Sequence, residues 1–372
     1  MTTRTSAYSK AIRMLTVANM YPSAKDPVYG TFVRNFVEEI DRLNTGGTND
    51  LVVIKGRRFN ALSKLAAYIS FYSRLTFRLL FGKYDLIYIH TITFPIPPVR
   101  IIGLFRKLPL VFNVHGDDVL PSGKLKKLLK RISIPEVRKA KMVVSPSDYF
   151  KGVLLDEIPG LDPAKIFVSP SGGIDAKFFR DQSSIAASDH QIPLIGYVSR
   201  IDNGKGWDTF LKALSELKSK GLKIKAVIAG RGAQTPIMLQ MISDLQLTDC
   251  VDYLGPVAQE ELPKLYASFD IFIFPSIRLN ESLGLVGLEA MAAGIPVIAS
   301  NMAGPAGYVR HNVNGYLFQP GNHTELAKAI SLFLNATPEV QKAMRTAAAE
   351  TAKKYDSKKV VEEMYDKLLS IT

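Results

Sequence analysis

Asp270 to Ser300 reads DIFIFPSIRLNESLGLVGLEAMAAGIPVIAS, and the fold is decided here. Ile271 to Phe274 is a short unbroken apolar run, the pattern of a strand covered on both faces. Pro275 and Ser276 end it, and a polar loop runs from Ile277 to Ser282. Small residues then predict a helix from about Leu283 to Ala293, which Gly294 stops in the C′ manner. Ile295 to Ala299 reads as the next parallel strand. In an open α/β sheet, anionic ligands gather at the carboxyl ends of the strands and at helix N-termini. Two carboxylates sit in this unit: Glu281 at the helix start beside Gly284, and Glu289 about two turns further along. A single carboxylate leaving an apolar helix suits the reading of ligand hydroxyls beside a phosphate site.

The alternation extends both ways. Upstream, strands are expected at Ile12–Val17, Leu51–Ile54, Leu86–Ile89, Leu110–Val114, Met142–Ser145 and Ile166–Val168. Helical spacing lies between them, as in Phe32, Val33, Phe36, Val37, Ile40 and Leu43. A second series has strands at Leu194–Val198, Ile224–Ala229, Val251–Leu254 and Tyr316–Phe318, in addition to the two above. Its helices are expected at about 206–219, 235–246, 259–268, 305–310 and 323–335. Such alternation implies an α/β protein of doubly wound parallel sheets. Residues 181–192 are small and polar and read as a linker, which divides the 372 residues into domains 1–185 and 186–355. From Pro338 the chain reads as helix nearly to its end, with Ser357 capping a final helix over 356–372.

Composition narrows the classes. A single cysteine, Cys250, excludes an internal disulfide framework, fits a reducing compartment and is expected to pack in a strand. No secretory signal and no run of eighteen apolar residues is evident, so no spanning helix is expected. The net charge is +13, and its placement is the informative part. Residues 1–190 hold 28 Lys/Arg against 16 Asp/Glu, whereas residues 191–372 hold 19 against 18. Between Leu51 and Gly116 the only acid is Asp85, against ten Lys/Arg. Basic residues alternate with Leu, Phe and Tyr in residues 55–83 and 124–131, a mixture suited to an anionic membrane surface. The expected location is cytoplasmic, peripheral on the inner face of the cell membrane. No nucleic-acid motif accompanies the basic face, so no nucleic acid is expected as partner.

Glu281-x7-Glu289, running into EAMAAGIPV at 289–297, resembles the signature of the family 4 retaining glycosyltransferases of GT-B fold. The resemblance implies two Rossmann-like domains facing a central cleft. The first, joined by the final helix, would bind a glycan or lipid-linked acceptor. The second would bind a nucleoside-diphosphate-sugar donor.

The resemblance also implies roles for residues. GYVSRIDNGKG (196–206) is similar to the family's G-R-L…K-G element, so Arg200 and Lys205 would clamp the diphosphate and stabilise its leaving charge. Glu289 would accept hydrogen bonds from ribose hydroxyls. Glu281, with backbone N–H groups at Leu283, Gly284 and Leu285, would fix the donor sugar. His115, in NVHGDD (113–118), would hold that sugar from the first domain, with His90 a weaker counterpart. Gly30 opens the first long helix and would approach the diphosphate. Gly173 lies in SPSGGID (169–175), similar to a P-N-G-V/I-D turn in which Gly172 replaces asparagine. Arg231, in GRG (230–232), is a further candidate donor contact. Asp117 and Asp118 are adjacent, but no further oxygen ligands are spaced for a divalent ion, so no metal or other cofactor is expected.

The expected reaction is transfer of a sugar to a hydroxyl in polysaccharide or glycolipid synthesis. His115, Glu281, Arg200 and Lys205 would be the catalytic set. The alternatives are a sugar-nucleotide 2-epimerase on the same fold and a non-catalytic membrane- or glycan-binding protein. Ser282 and Leu283 stand where many family members have Gly-Phe, so donor identity cannot be carried over from the family.

Overall fold

The computed structural model describes residues 11–26, 29–58, 60–181 and 191–372. Two compact units result: residues 1–172 with 358–372, and residues 173–357. The division therefore falls at Gly172/Gly173, ahead of the expected 185/186 boundary. The reason is backbone bonding. Ile174 donates to the Tyr355 carbonyl at 2.6 Å and accepts from the Ser357 N–H at 3.0 Å, so the chain is tied into the second unit directly after the turn. Most of the expected linker, 182–190, lies outside the described residues.

The first unit contains β1 (Arg13–Tyr21), β2 (Thr48–Lys55), β3 (Leu86–His90), β4 (Leu110–Asn113), β5 (Met142–Ser145) and β6 (Ile166–Val168). Its helices are α1 (Thr31–Leu43), α2 (Ala61–Phe81), α3 (Ile96–Ile102), α4 (Lys124–Lys139) and α5 (Asp148–Glu157). The sheet is parallel, with order β2-β1-β3-β4-β5-β6. The sequence ends the first strand near Val17, but β1 continues to Tyr21 because β2 runs alongside, pairing Ala18 with Val53 and Tyr21 with Lys55.

The second unit contains β7 (Leu194–Val198), α6 (Trp207–Ser219), β8 (Lys225–Ala229), α7 (Thr235–Asp244), β9 (Val251–Gly255), α8 (Leu262–Ala267), β10 (Ile271–Phe274), α9 (Leu285–Ala292), β11 (Val297–Ser300), β12 (Gly315–Phe318), α10 (His323–Leu334) and α11 (Pro338–Ala352). Its parallel sheet has order β12-β11-β10-β7-β8-β9. The helix expected at 305–310 is a single 3₁₀ turn, Gly304–Gly307, too short and too rich in glycine to propagate. Cys250 precedes β9 rather than lying within it, and its thiol is 3.5 Å from the Leu247 carbonyl.

Strand periodicity builds a core on each face of both sheets. In β3, Ile87 and Ile89 enter one cluster, while Leu86 and Tyr88 enter the opposite one. In β10, Ile271 and Ile273 go one way, Phe272 and Phe274 the other. Each such side chain contributes about 1.5–3 kcal/mol of burial. The last helix, α12 (Ser357–Ser370), places Val361, Met364, Tyr365 and Leu368 with Phe36, Val37 and Ile40 of α1 against the first sheet. Its Tyr365 hydroxyl lies 3.0 Å from Asn44 Oδ1, which also accepts from the Ile12 N–H at 2.9 Å.

Strand order reverses between β1 and β3 in the first sheet and between β7 and β10 in the second. Loops leaving the carboxyl ends of those strands flank a crevice in each unit, the usual ligand position in open α/β sheets.

Candidate functional site

In the second unit the loops after β7 and β10 meet. Each feeds a helix through a left-handed glycine: Gly206 (φ 74°) before α6 and Gly284 (φ 83°) before α9. A methyl group on Gly206 would stand 1.9 Å from the Pro275 carbonyl oxygen, so only glycine lets the two loops close on each other. Neither helix has a side-chain cap, which leaves leading N–H groups for an anion.

Closure brings Lys205 and Glu281 together at 2.5 Å, with side chains only 12% and 16% exposed. The Ser276 hydroxyl lies 3.1 Å from the same Glu281 oxygen and 3.3 Å from the Gly204 carbonyl. The Glu281 carbonyl accepts from the Gly304 N–H at 2.9 Å. A cation and a carboxylate are thus fixed beside an open helix N-terminus.

Glu289 lies on α9 and accepts a 2.9 Å hydrogen bond from the Tyr266 hydroxyl. Burial drives its carboxyl up to about 7, against the opposing pull of that hydrogen bond and of Lys177. Hydroxyl donors from a ligand favour the ionised form, so Glu289 is suited to receive them. Leu283 is buried, and Leu285 is half-buried on the first turn. Tyr308 donates to the Gly284 carbonyl at 2.9 Å and holds the glycine turn.

The remaining expected donor contacts are differently placed. Arg200 is 64% exposed and pairs with Asp202 at 3.1 Å, a solvated pair of small strength. Arg231 is exposed, and its carbonyl accepts from the Ile201 N–H. At Gly173 (φ 76°) a methyl group would approach the Tyr355 carbonyl to 2.6 Å, so packing alone requires that glycine. Gly172 takes φ 86°, the left-handed conformation open to asparagine as well.

In the first unit the crevice is a cavity of about 560 Å³. His115 lines it, and its Nε2 lies 3.2 Å from Nδ1 of the buried His90. The rings stack at 5.4 Å with 7° between planes. Burial lowers the basicity of both imidazoles, and two at this distance cannot share a second positive charge. Asp118 fixes the loops after β3 and β4 by accepting from the Ile92 N–H at 3.0 Å and the His115 N–H at 2.9 Å. Among the described residues no three His, Cys, Asp or Glu side chains converge as a metal site. Gly30 caps α1 at φ 75°, where a methyl group would meet the Met20 carbonyl carbon and the Tyr21 nitrogen at 2.8 Å. Its neighbours Tyr29 and Phe32 line the cavity, and Phe32 lies 4.7 Å from the His115 ring.

The structure therefore gathers Lys205, Glu281, Leu283, Gly284, Leu285 and Glu289 on two loops and one helix of the second unit, while Gly30 and His115 belong to the first. Sequence reasoning missed Ser276, Tyr266 and Tyr308, whose partners lie up to seventy-two residues away and carry no local signal. It also missed Asn19 and Thr91 in the cavity wall.

Comparison with known proteins supplies the context. A family model described as "Glycosyltransferase Family 4" matches residues 31–176, and one described as "Glycosyl transferases group 1" matches residues 179–354. A D-inositol 3-phosphate glycosyltransferase of Rhodococcus erythropolis is 34% identical over 50% of this chain and 43% of its own length. The chain spans less than half the length of the curated relatives it matches first. Among solved structures, Anabaena HepE in complex with UDP has a TM-score of 0.75 at 21% identity, covering 96% of this chain and all of that one. Sucrose-phosphate synthase of Thermosynechococcus elongatus has a TM-score of 0.78 at 17% identity, covering 97% of this chain and 100% of its own. At these identities the likeness concerns the fold.

Proposed function

Because the chain belongs to the family 4 glycosyltransferases of GT-B fold, we propose that it transfers a sugar from a nucleoside-diphosphate-sugar to a hydroxyl of a glycan or lipid-linked glycan, with retention at the anomeric carbon. The observation that carries this reading is the Lys205–Glu281 pair, held by Ser276 beside the uncapped start of α9 and within one helix of Glu289. In this reading the second unit holds the donor. Lys205 and the leading N–H groups of α6 and α9 take the diphosphate, and Arg200 adds a mobile charge from the loop. Negative charge grows on the leaving phosphate as the glycosidic bond breaks, and fixed positive charge lowers that barrier. Glu281 orients Lys205 and receives sugar hydroxyls, while Glu289 reads the ribose. No side chain is asked to act as covalent nucleophile; the acceptor attacks from the face the phosphate leaves. The first unit holds the acceptor, with His115 as the neutral imidazole that bonds the transferred sugar.

The acceptor side is read as membrane-borne. Among the described residues no helix is long and apolar enough to cross a membrane. Leu62, Ile69 and Phe81 of α2, Phe105 after α3, and Leu125 and Leu128 of α4 are exposed, Phe105 by 85%. Lys64, Lys124, Lys127 and Arg131 stand among them. Apolar insertion with cations at the headgroups supports peripheral binding to an anionic bilayer on the cytoplasmic side.

A panel of nucleotide sugars tests the donor half. The cognate donor at 100 times its dissociation constant raises stability by about 2.7 kcal/mol in a thermal-shift measurement. Slow release of nucleoside diphosphate from that donor supports transfer. Formation of an epimer, or no binding by any donor, sinks the reading. Co-sedimentation with neutral and anionic vesicles tests the membrane half, and equal binding to both counts against it.

A further inference from the structure

We propose that the cavity of the first unit takes a phosphate-bearing polyol: a compact ring with several hydroxyls and an anionic substituent, supplied either free in solution or as a lipid headgroup. This rests on the reading of the first unit as the acceptor side and narrows it to a substrate class.

Two kinds of unpaired group carry the inference. The first is polar and buried. Asn19 and Thr91 line the cavity at only 8% and 6% exposure, yet Asn19 Oδ1 and Thr91 Oγ1 have no hydrogen-bond partner. Buried polar atoms left unpaired cost about 1–3 kcal/mol each, and native proteins keep few of them. Both lie at the order reversal of the sheet, Asn19 near the carboxyl end of β1 and Thr91 directly after β3. Thr91 also sits at φ 78°, a left-handed backbone that a β-branched residue adopts only under strain. Strain and an unpaired hydroxyl coincide at one residue of the cavity wall, the combination expected of a group set out for a ligand hydroxyl.

The second kind is charged. Arg57, Arg58, Lys64 and Lys126 line the cavity against two carboxylates, Asp117 and Asp118. Asp118 is engaged by two backbone N–H groups. Arg57 is held by Asp26 at 3.5 Å and lies 5.2 Å over the Tyr29 ring. Among the described residues, Arg58, Lys64 and Lys126 have no acidic partner at salt-bridge distance. A neutral sugar gains little from that excess. A phosphate satisfies it, and the hydroxyls of its ring are matched to the buried pair that lines the same cavity.

The test titrates the full chain with myo-inositol 1-phosphate, myo-inositol, glucose 6-phosphate, glucose and inorganic phosphate. The phosphorylated rings bind saturably and at least tenfold more tightly than their unphosphorylated counterparts. Combined Arg58→Ala and Lys126→Ala removes that advantage; both residues carry solvated charge, so the fold tolerates the change. Thr91→Gly relieves the backbone strain, lowers affinity for the phosphorylated rings about fivefold, and leaves inorganic phosphate binding as it was. Vesicles of phosphatidylcholine with phosphatidylinositol, compared with phosphatidylserine vesicles of equal charge, identify the source. Preference for the inositol headgroup that is lost in the double variant means a lipid-borne acceptor. No preference, alongside tight binding of the soluble ring phosphates, means a free one. The proposal falls if no phosphorylated ring binds, if phosphorylation makes no difference, or if the double variant binds as well as the parent. UDP and GDP titrated into the same protein keep the two readings apart. Nucleotide binding without ring-phosphate binding overturns this proposal alone, and loss of both overturns the donor reading too.

Discussion

Both sheets put their working loops where strand order reverses, but the two crevices are built from opposite materials. In the second unit every central charge has a partner: Lys205 meets Glu281 at 2.5 Å, and Tyr266 donates to Glu289. In the first unit the cavity wall keeps buried oxygens without partners and cations without acids. The Lys205–Glu281 pair, satisfied before a ligand arrives, is preorganised and costs the fold little, whereas Glu289 carries a burial cost despite its partner. A site left unsatisfied stores cost that a ligand repays. The contrast predicts that breaking the loop closure or removing a hydrogen-bond partner in the second crevice costs stability, whereas deleting an unpaired group from the first costs ligand binding and no stability.

The largest effect should come from breaking the closure of the second crevice. Gly206→Ala forces a methyl group to 1.9 Å from a backbone oxygen at positive φ, and should destabilise the chain by about 3 kcal/mol or more in urea unfolding. Lys205→Ala should come next. If Lys205 holds the diphosphate as proposed, the change removes fixed positive charge from the leaving group and lowers kcat about 10²–10³-fold in a donor-hydrolysis assay. A loss confined to KM would mean that Lys205 only helps binding.

Glu289 sharpens the comparison through pH. Its folded carboxyl titrates at about 7, above the ordinary 4.5, so the native state holds a proton that the unfolded state releases between those values. Stability contributed by this group is therefore lost as pH rises from about 4.5 to 7. Glu289→Gln should stabilise the free chain by about 1–3 kcal/mol above pH 7, read as a melting-temperature difference that vanishes near pH 4. Nucleotide affinity moves in the opposite sense. It should improve up to tenfold per pH unit below 7, level off above it, and lose this dependence in the variant.

The smallest effect is the most direct comparison of materials. Ser276→Ala removes a partner and should cost about 1 kcal/mol. Thr91→Gly removes a strained residue with an unpaired hydroxyl, and should leave the melting temperature unchanged or raise it. Equal losses at the two positions would erase the distinction between the crevices.

Legibility in the sequence followed the same division. All twelve strands were readable because buried parallel strands are short apolar runs, as in LIYIH and IFIF. Glu281, Gly284 and Glu289 were readable because one loop and one helix carry them. The partners of those residues were not, since Tyr266 reaches Glu289 across twenty-three residues and looks in sequence like any core aromatic. Nor was the unit boundary, because composition marks polarity while the boundary depends on the bonds of Ile174 to residues 355–357. Thr91 was invisible for a simpler reason: nothing in the chemistry of threonine announces a positive φ.

The return of α12 to the first unit has a consequence for synthesis. Tyr365 and Leu368 complete the face that Ile12, Phe36 and Ile40 begin, so the first unit spans almost the whole chain while the second is continuous. On a ribosome, domains ordinarily finish in the order they emerge. Here the unit that emerges first is finished last, and until residue 368 has cleared the exit tunnel the face that α1 begins to cover stays incomplete. A nascent chain stalled before α12 should carry a protease-resistant second unit and a first unit still open to cleavage.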